Sequence, residues 1–259
     1  MKRSILATTL FAATAAAQVP APNASGVAMG HMHLNVSDPA VHTKLWVEGL
    51  GAKPAKVGSL DVLLIPGVVV MLRRATPTAG TEGSIVNHFG FLVKDLAATE
   101  AQWKAAGGEV YEQRPSPTQV FLRFPDDIKV ELTEDTSLAT PIAHHHIHFF
   151  TDSVEEMRAW YGKTFGAVLG RRGNFQAADL PGVNLSFSPS EKQARTQGRG
   201  VDHIGFEIDN LEEFCKKLEA SGVKLDTPYR SVPALGLSIV FFTDPWGTRV
   251  ELTEGLDKI

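Results

Sequence analysis

The stretch AHHHIHFF, residues 143–150, places four of the chain's nine histidines within five consecutive positions. Clustered imidazoles are the raw material of a site for a divalent metal, because a neutral ring nitrogen is a good ligand for first-row ions. If the segment is extended, side chains alternate between faces, which sends His144, His146 and His148 one way and His145 the other. A second chemical pattern lies in a repeat. VNHFGFLVKDLAATEAQWKAAGGEV begins at Val86 and VDHIGFEIDNLEEFCKKLEASGVKL at Val201, the same pattern displaced by 115 residues (201 − 86). The shared ends KVELTE and RVELTE place Glu131 and Glu251 120 apart (251 − 131), and counting back 115 from His146 lands on His31 in GHMHLNV. The chain is one module written twice, with histidines and a glutamate recurring in both copies.

These residues need elements to carry them. In the second module HHIHFF reads as a strand and SVEEMRAWYGKTFG as a helix, with Met157, Trp160, Tyr161 and Phe165 at helical spacing as core. Three strands follow, near 167–172, 174–180 and 183–188. From Val201 the order recurs: strand DHIGFEI, a helix to Ser221, then strands near 223–227, 238–243 and 248–253. That is βαβββ twice per module. Pro141, in the polar join EDTSLATP, marks the boundary between modules. The expected division is a signal peptide over 1–17, a flexible N-terminus over 18–27, module one over 28–135, a linker over 136–142 and module two over 143–256.

Composition limits the function. The chain has 259 residues, 43% of them hydrophobic, enough for a substantial core. A net charge of −4 with no long basic block favours neither nucleic acid nor an anionic membrane surface, so a small molecule is the expected partner. Lys2 and Arg3, the short apolar run ILATTLFAATAAA and the Ala15–Ala17 site read as an export signal without a lipid anchor, so the product is expected outside the cytoplasm, periplasmic or secreted, as a monomer or homodimer. Cys215 is the only cysteine and lies on a helix, where a buried apolar role is expected.

The doubled βαβββ pattern, with a His on the first strand, DHIGFEIDNLEEF opening the second half and DPWGTRVEL at the end, resembles the vicinal oxygen chelate superfamily. That superfamily includes glyoxalase I, extradiol dioxygenases and bleomycin-binding proteins. The resemblance implies an α+β fold of two tandem modules, in which each pair of βαβββ units curls into a mostly antiparallel sheet cup with helices outside. It implies metal ligands inside each cup: His31, His88 and Glu131 in module one, His146, His203 and Glu251 in module two. In some relatives the halves pair across modules, which would bring His31 to His203 and Glu251 instead. Two imidazoles and a carboxylate leave the other positions of a divalent ion, iron, manganese, zinc or nickel, to water or to two substrate oxygens. Such an ion can act as a Lewis acid or activate oxygen.

Around the ligands, His33 and His148 are expected to line the cups, His145 to face the helix layer, and His144 to mark the strand's entry. Glu207, four residues after His203, and Glu251 are the candidate catalytic carboxylates. Arg249 beside Glu251 and Lys129 beside Glu131 suit an anionic substrate, with a structural ion pair as the competing role, and Tyr229 lies on YRSVPALGL, a loop placed to cover a cup. That loop and the DPWG turn favour module two as the principal site. The expected activity is metal-dependent lyase or isomerase chemistry on a small oxygen-rich molecule. A ring-cleaving dioxygenase is the alternative enzyme, disfavoured because no histidine follows His203, and a non-catalytic ligand-binding protein is the alternative class.

Overall fold

The protein's structure, a computed structural model, describes residues 19–259; the expected export signal over residues 1–17 lies outside the described residues. The chain passes four times through strand, helix, three strands. The first quarter holds β1 (Val27–Val36), α1 (Pro39–Lys44), β2 (Lys53–Val57), β3 (Leu60–Ile65) and β4 (Val68–Arg74). The second holds β5 (Val86–Val93), α2 (Leu96–Ala105), β6 (Glu109–Val110), β7 (Gln119–Phe124) and β8 (Ile128–Glu134). The third holds β9 (Ile142–Thr151), α3 (Val154–Phe165), β10 (Val168–Arg172), β11 (Phe175–Leu180) and β12 (Val183–Pro189). The fourth holds β13 (Val201–Ile208), α4 (Leu211–Ala220), β14 (Leu225–Val232), β15 (Leu237–Thr243) and β16 (Arg249–Glu254). Asp38, Asp95 and Asn210 accept hydrogen bonds from the first-turn amides of α1, α2 and α4, and Gly166 ends α3 in the left-handed conformation, φ 69°.

The strands form two mixed, open eight-stranded sheets. One runs β14-β15-β16-β13-β1-β4-β3-β2 and joins the first and last quarters; the other runs β10-β11-β12-β9-β5-β8-β7-β6 and joins the middle two. Their concave faces are called the terminal cup and the central cup. The seams are antiparallel, β1 with β13 and β5 with β9, so each cup takes one half from each module. The grouping of ligands by module is therefore corrected to a grouping across modules.

Packing gives the reason. The halves of one module share a core on the helix side of their sheets. Trp46, on the π-helical continuation of α1, stacks on Phe89, lies tilted against Phe124 and meets Phe91 edge-on, and Trp103 of α2 packs on Phe124. In module two, Phe165 of α3 packs on Phe206 and Phe214, and Phe149 stacks on Phe187. With helix sides fastened within the module, each concave face is completed by the other module. Residues 19–27, expected to be flexible, are held down: Val19 is 3% exposed, and the Asn23 side-chain amide donates to the Phe165 and Gly166 carbonyls at the end of α3.

Both seams carry a β-bulge at the same place. Gly30 and His31 together oppose Gly205, and His145 and His146 together oppose Gly90. The extra residue inverts the alternation before it. His144 consequently lies against Phe91, its Nδ1 3.1 Å from the Gly182 carbonyl, while His145 Nδ1 comes within 3.1 Å of His146 Nδ1. The expectation that His144 would share the face of His146, with His145 opposite, fails for this reason.

Candidate metal centres

In the terminal cup, β1 delivers His31 and His33, β13 delivers His203 and β16 delivers Glu251. Nε2 of His31 and of His203 lie 3.0 and 2.8 Å from the same oxygen, Glu251 Oε2. His33 pairs with His203 across the seam, ring centroids 4.3 Å apart. Asp202 Oδ1 sits 2.7 Å from His203 Nδ1 and fixes that ring, and Arg249 Nη1 donates to the same oxygen at 2.6 Å. Arg249 thus serves Asp202, with its guanidinium 4.5 Å over the Phe241 ring.

The central cup repeats the plan with changes. His88 Nε2 is 3.0 Å and His146 Nε2 3.5 Å from Glu131 Oε2. Glu131 Oε1 accepts from Gln119 Nε2 and the Thr133 hydroxyl, both at 2.8 Å. Asn87 stands where Asp202 stands in the other cup, its Oδ1 2.9 Å from His88 Nδ1. His148 sits beside His88 with Nε2 2.8 Å from the Ser188 hydroxyl. The glycine of HFGF and HIGF makes room in both cups: a Cβ on Gly90 would lie 2.3 Å from His146 Cε1, and one on Gly205 2.0 Å from His31 Cε1.

These residues fit a divalent metal. Two ring nitrogens converging on one carboxylate oxygen require protons or a cation between them, and His31 Nδ1, His146 Nε2, His148 Nδ1 and both nitrogens of His33 are buried with no hydrogen-bond partner among the described residues. Burial pushes His33 and His146 down to about 3 and His148 to about 2, so these imidazoles keep their lone pairs at neutral pH. Burial alone would raise Glu251 and Glu131, yet the histidine rings beside them outweigh it and hold both carboxyls well below the usual range. Burial opposes protonation of His203, but Asp202 and Glu251 overcome it and raise the group.

The remaining candidates lie apart from the clusters. Glu207 faces the terminal cup, but its carboxylate accepts from the Thr253 hydroxyl at 2.7 Å and from the Gly255 and Leu256 amides at 2.6 and 3.0 Å. Tyr229 packs on the apolar core with its hydroxyl 3.1 Å from Ser238 Oγ. Lys129 pairs with Glu82 at 2.9 Å and lies 4.3 Å over the Phe121 ring. Asp202, Asn87 and the two glycines were missed in the sequence, although VDH, VNH, HIGF and HFGF display them directly beside the repeated histidines.

The cups differ in lining. A cavity of about 700 Å³ reaches His88, Glu131 and His148 in the central cup, with Tyr111, Phe121 and Phe175 on its walls. Two other hollows, one beside Val41 and Pro125 and one beside Val47 and Leu72, contain none of the repeated histidines. The DPWG turn and the YRSVPALGL loop both belong to the terminal cup, and the loop closes that cup, since Leu235 joins the apolar cluster that fills it. The features that favoured module two therefore lie in the other cup from this cavity.

Comparison with known proteins agrees with this architecture. Residues 143–252 match the model of the Glyoxalase/Bleomycin resistance protein/Dioxygenase superfamily. The uncharacterized protein YwkD of Bacillus subtilis is 27% identical over 124 residues, covering 42% of this chain and 94% of YwkD. The "Probable lactoylglutathione lyase, chloroplastic" of Arabidopsis thaliana is 22% identical over 193 residues, covering 68% of this chain and 54%, about half, of the Arabidopsis protein. The crystal structure of glyoxalase I from Zea mays superposes with a TM-score of 0.69 at 16% identity, covering 90% of this chain and 94% of that one. The second module thus matches the model of the glyoxalase/bleomycin resistance protein/dioxygenase, or vicinal oxygen chelate, superfamily, and the chain shares the fold of glyoxalase I from Zea mays across both modules.

Proposed function

We propose that this protein is a metal-dependent enzyme whose working centre is the central cup, with His88, His146 and Glu131 holding a divalent ion and a small oxygen-rich molecule entering from the adjoining cavity. The observation that carries the reading is the cavity of about 700 Å³ that runs down to His88, His148 and Glu131, with His146 Nε2 behind them 3.5 Å from Glu131 Oε2. A divalent ion in this site would polarise vicinal substrate oxygens as a Lewis acid. The protein's residues do the rest. Gln119 and Thr133 hold Glu131 Oε1, so that Oε2 keeps its direction toward the histidines. Ser188 fixes His148 through Nε2 and leaves Nδ1, buried and unpartnered, to exchange a proton with a bound molecule. Phe121 and Phe175 exclude water from the walls, and Lys129, paired with Glu82, lies near the mouth.

Proton transfer of this kind is lyase or isomerase chemistry. A second reading, ring-cleaving dioxygenase, gains from the same centre. No histidine follows His203 beside the fourth quarter's ligands, but the central cup has a spare one in His148, together with aromatic walls suited to a ring. Turnover under strict anaerobiosis with a redox-inert metal supports the first reading; stoichiometric oxygen uptake by the iron-loaded enzyme with a catechol establishes the second. If neither a panel of dicarbonyl, hydroxy-acid and catechol compounds is turned over nor binding depends on His88 and Glu131, the protein is a binding module. Among the described residues no helix is long and apolar enough to cross a membrane. Export is part of the proposal, and mass spectrometry of the mature chain should find it beginning near Gln18.

A further inference from the structure

The terminal cup follows the same repeated pattern as the central one but is filled. Where the central cup has Asn184, Ser186, Arg172 and Gln119, the terminal cup has Val69, Met71, Val57 and Ile239 (184 − 115, 186 − 115, 172 − 115, 119 + 120). These four are buried in one apolar cluster on the concave face, which Val19 and Leu256 complete from the two ends of the described chain. The β2–β3 turn and the turn at Pro233–Leu235 meet over the cluster, so closely that a Cβ on Gly58 would lie 2.3 Å from the Ala234 carbonyl oxygen.

Behind this filling, His31, His33, His203 and Glu251 each offer a ligand atom, all within 4.8 Å of one another. His33 is the telling residue. Its counterpart in the central cup, His148, is tethered by Ser188, but the position matching Ser188 is Arg73, which turns away to Asn35 at 2.9 Å. Both His33 nitrogens are therefore left buried and without a hydrogen-bond partner among the described residues. Four ligand atoms around an ion at about 2.0–2.3 Å stand roughly 3.3–3.8 Å apart in a tetrahedron, within reach of small side-chain rotations from the present positions. A complete set of protein ligands is the mark of a structural metal site, whereas a catalytic site keeps a position open.

We propose that His31, His33, His203 and Glu251 enclose a divalent ion such as zinc in a closed four-ligand site, which fastens β1 to β13 and β16 and takes no part in turnover. The ion would join residues 172 apart in the chain (203 − 31), where a disulfide is impossible because the chain has a single cysteine. The proposal rests on the reading that the central cup is the working centre, but its tests read metal binding and stability, so either can fail without the other.

The first test uses the mature full-length chain with His88→Ala and Glu131→Ala, which silences the central cup. Titrated with cobalt(II), it should bind one ion per chain with the intense visible spectrum of four-coordination, and stripping that ion should lower Tm by roughly 10 °C. Adding His33→Ala should speed release to a chelator at least about tenfold and shift the spectrum toward higher coordination as water enters. A second measurement needs no substitution: the wild-type protein loaded with zinc should release one ion quickly and one slowly. A silenced chain that binds no ion, a spectrum of six-coordination unaffected by His33→Ala, single-phase release, or an unchanged Tm after stripping would each overturn the proposal.

Discussion

Gly90 and Gly205 shape the metal centres as decisively as the ligands do, because the His146 and His31 rings lie directly over their α-carbons. Gly90 is not in the left-handed region, so the constraint there is space alone. Replacing Gly90 by Ala would put a methyl 2.3 Å from His146 Cε1 and push the ring off Glu131. Gly90→Ala should weaken metal binding in the central cup by at least about tenfold, as displaced ligands or their supports typically do. Competition against a chromogenic chelator measures this, with circular dichroism to show that the fold persists; unchanged affinity would mean that the ring has room elsewhere. At this scale the sequence was informative where it repeated. His31, His88, His146, His203, Glu131 and Glu251 stood out because two copies place them alike. The roles of His144 and His145 were illegible, since a bulge one residue long inverts their faces and HHHIH carries no local mark of it.

At the scale of elements, the short C-terminal turn shows how a candidate catalytic group is taken into the structure. Glu207 on β13 receives three hydrogen bonds from Thr253, Gly255 and Leu256, fixing the end of β16 and hence the strand that carries Glu251. Burial pushes its carboxyl up from 4.5 to about 7 despite those bonds. The folded protein therefore keeps this proton over a range in which the unfolded chain has released it, and folding takes up a proton between pH 4.5 and about 7. The contribution is full below pH 4.5 and is lost as pH rises to about 7. Relative to Glu207→Gln, which cannot ionise, the wild type should lose up to about 3 kcal/mol of stability across that interval. Denaturant titrations of both proteins at several pH values test this, and parallel curves would show that the three donors keep Glu207 ionised throughout. The strands, helices and their boundaries were largely legible, because the apolar periods and the caps at Asp95 and Asn210 are local features.

At the scale of the molecule, one apolar core runs through both modules, the helices pack within a module, and each cup belongs to both. The repeat revealed the four βαβββ units, but not their pairing. β1 meets the same kind of strand whether it joins β5 or β13, and the hydrophobic alternation is satisfied either way. The decision lies in tertiary packing, in contacts such as Trp46 on Phe89 and Phe124, which fasten the helix sides within a module and leave the concave sides to be shared. It also separates the two centres by surroundings, one beside Met71, Ile239 and Leu256, the other at the floor of a cavity. The central claim is that a metal in the open cup is held by ligands from both modules. Crystals of the metal-loaded protein, with diffraction recorded on either side of the metal's absorption edge, test it most directly. An anomalous peak within bonding distance, about 2.0–2.3 Å, of His88, His146 and Glu131 is the predicted result; a peak bounded by His146, His203 and Glu251, or no peak in the central cup at saturating metal, would contradict it.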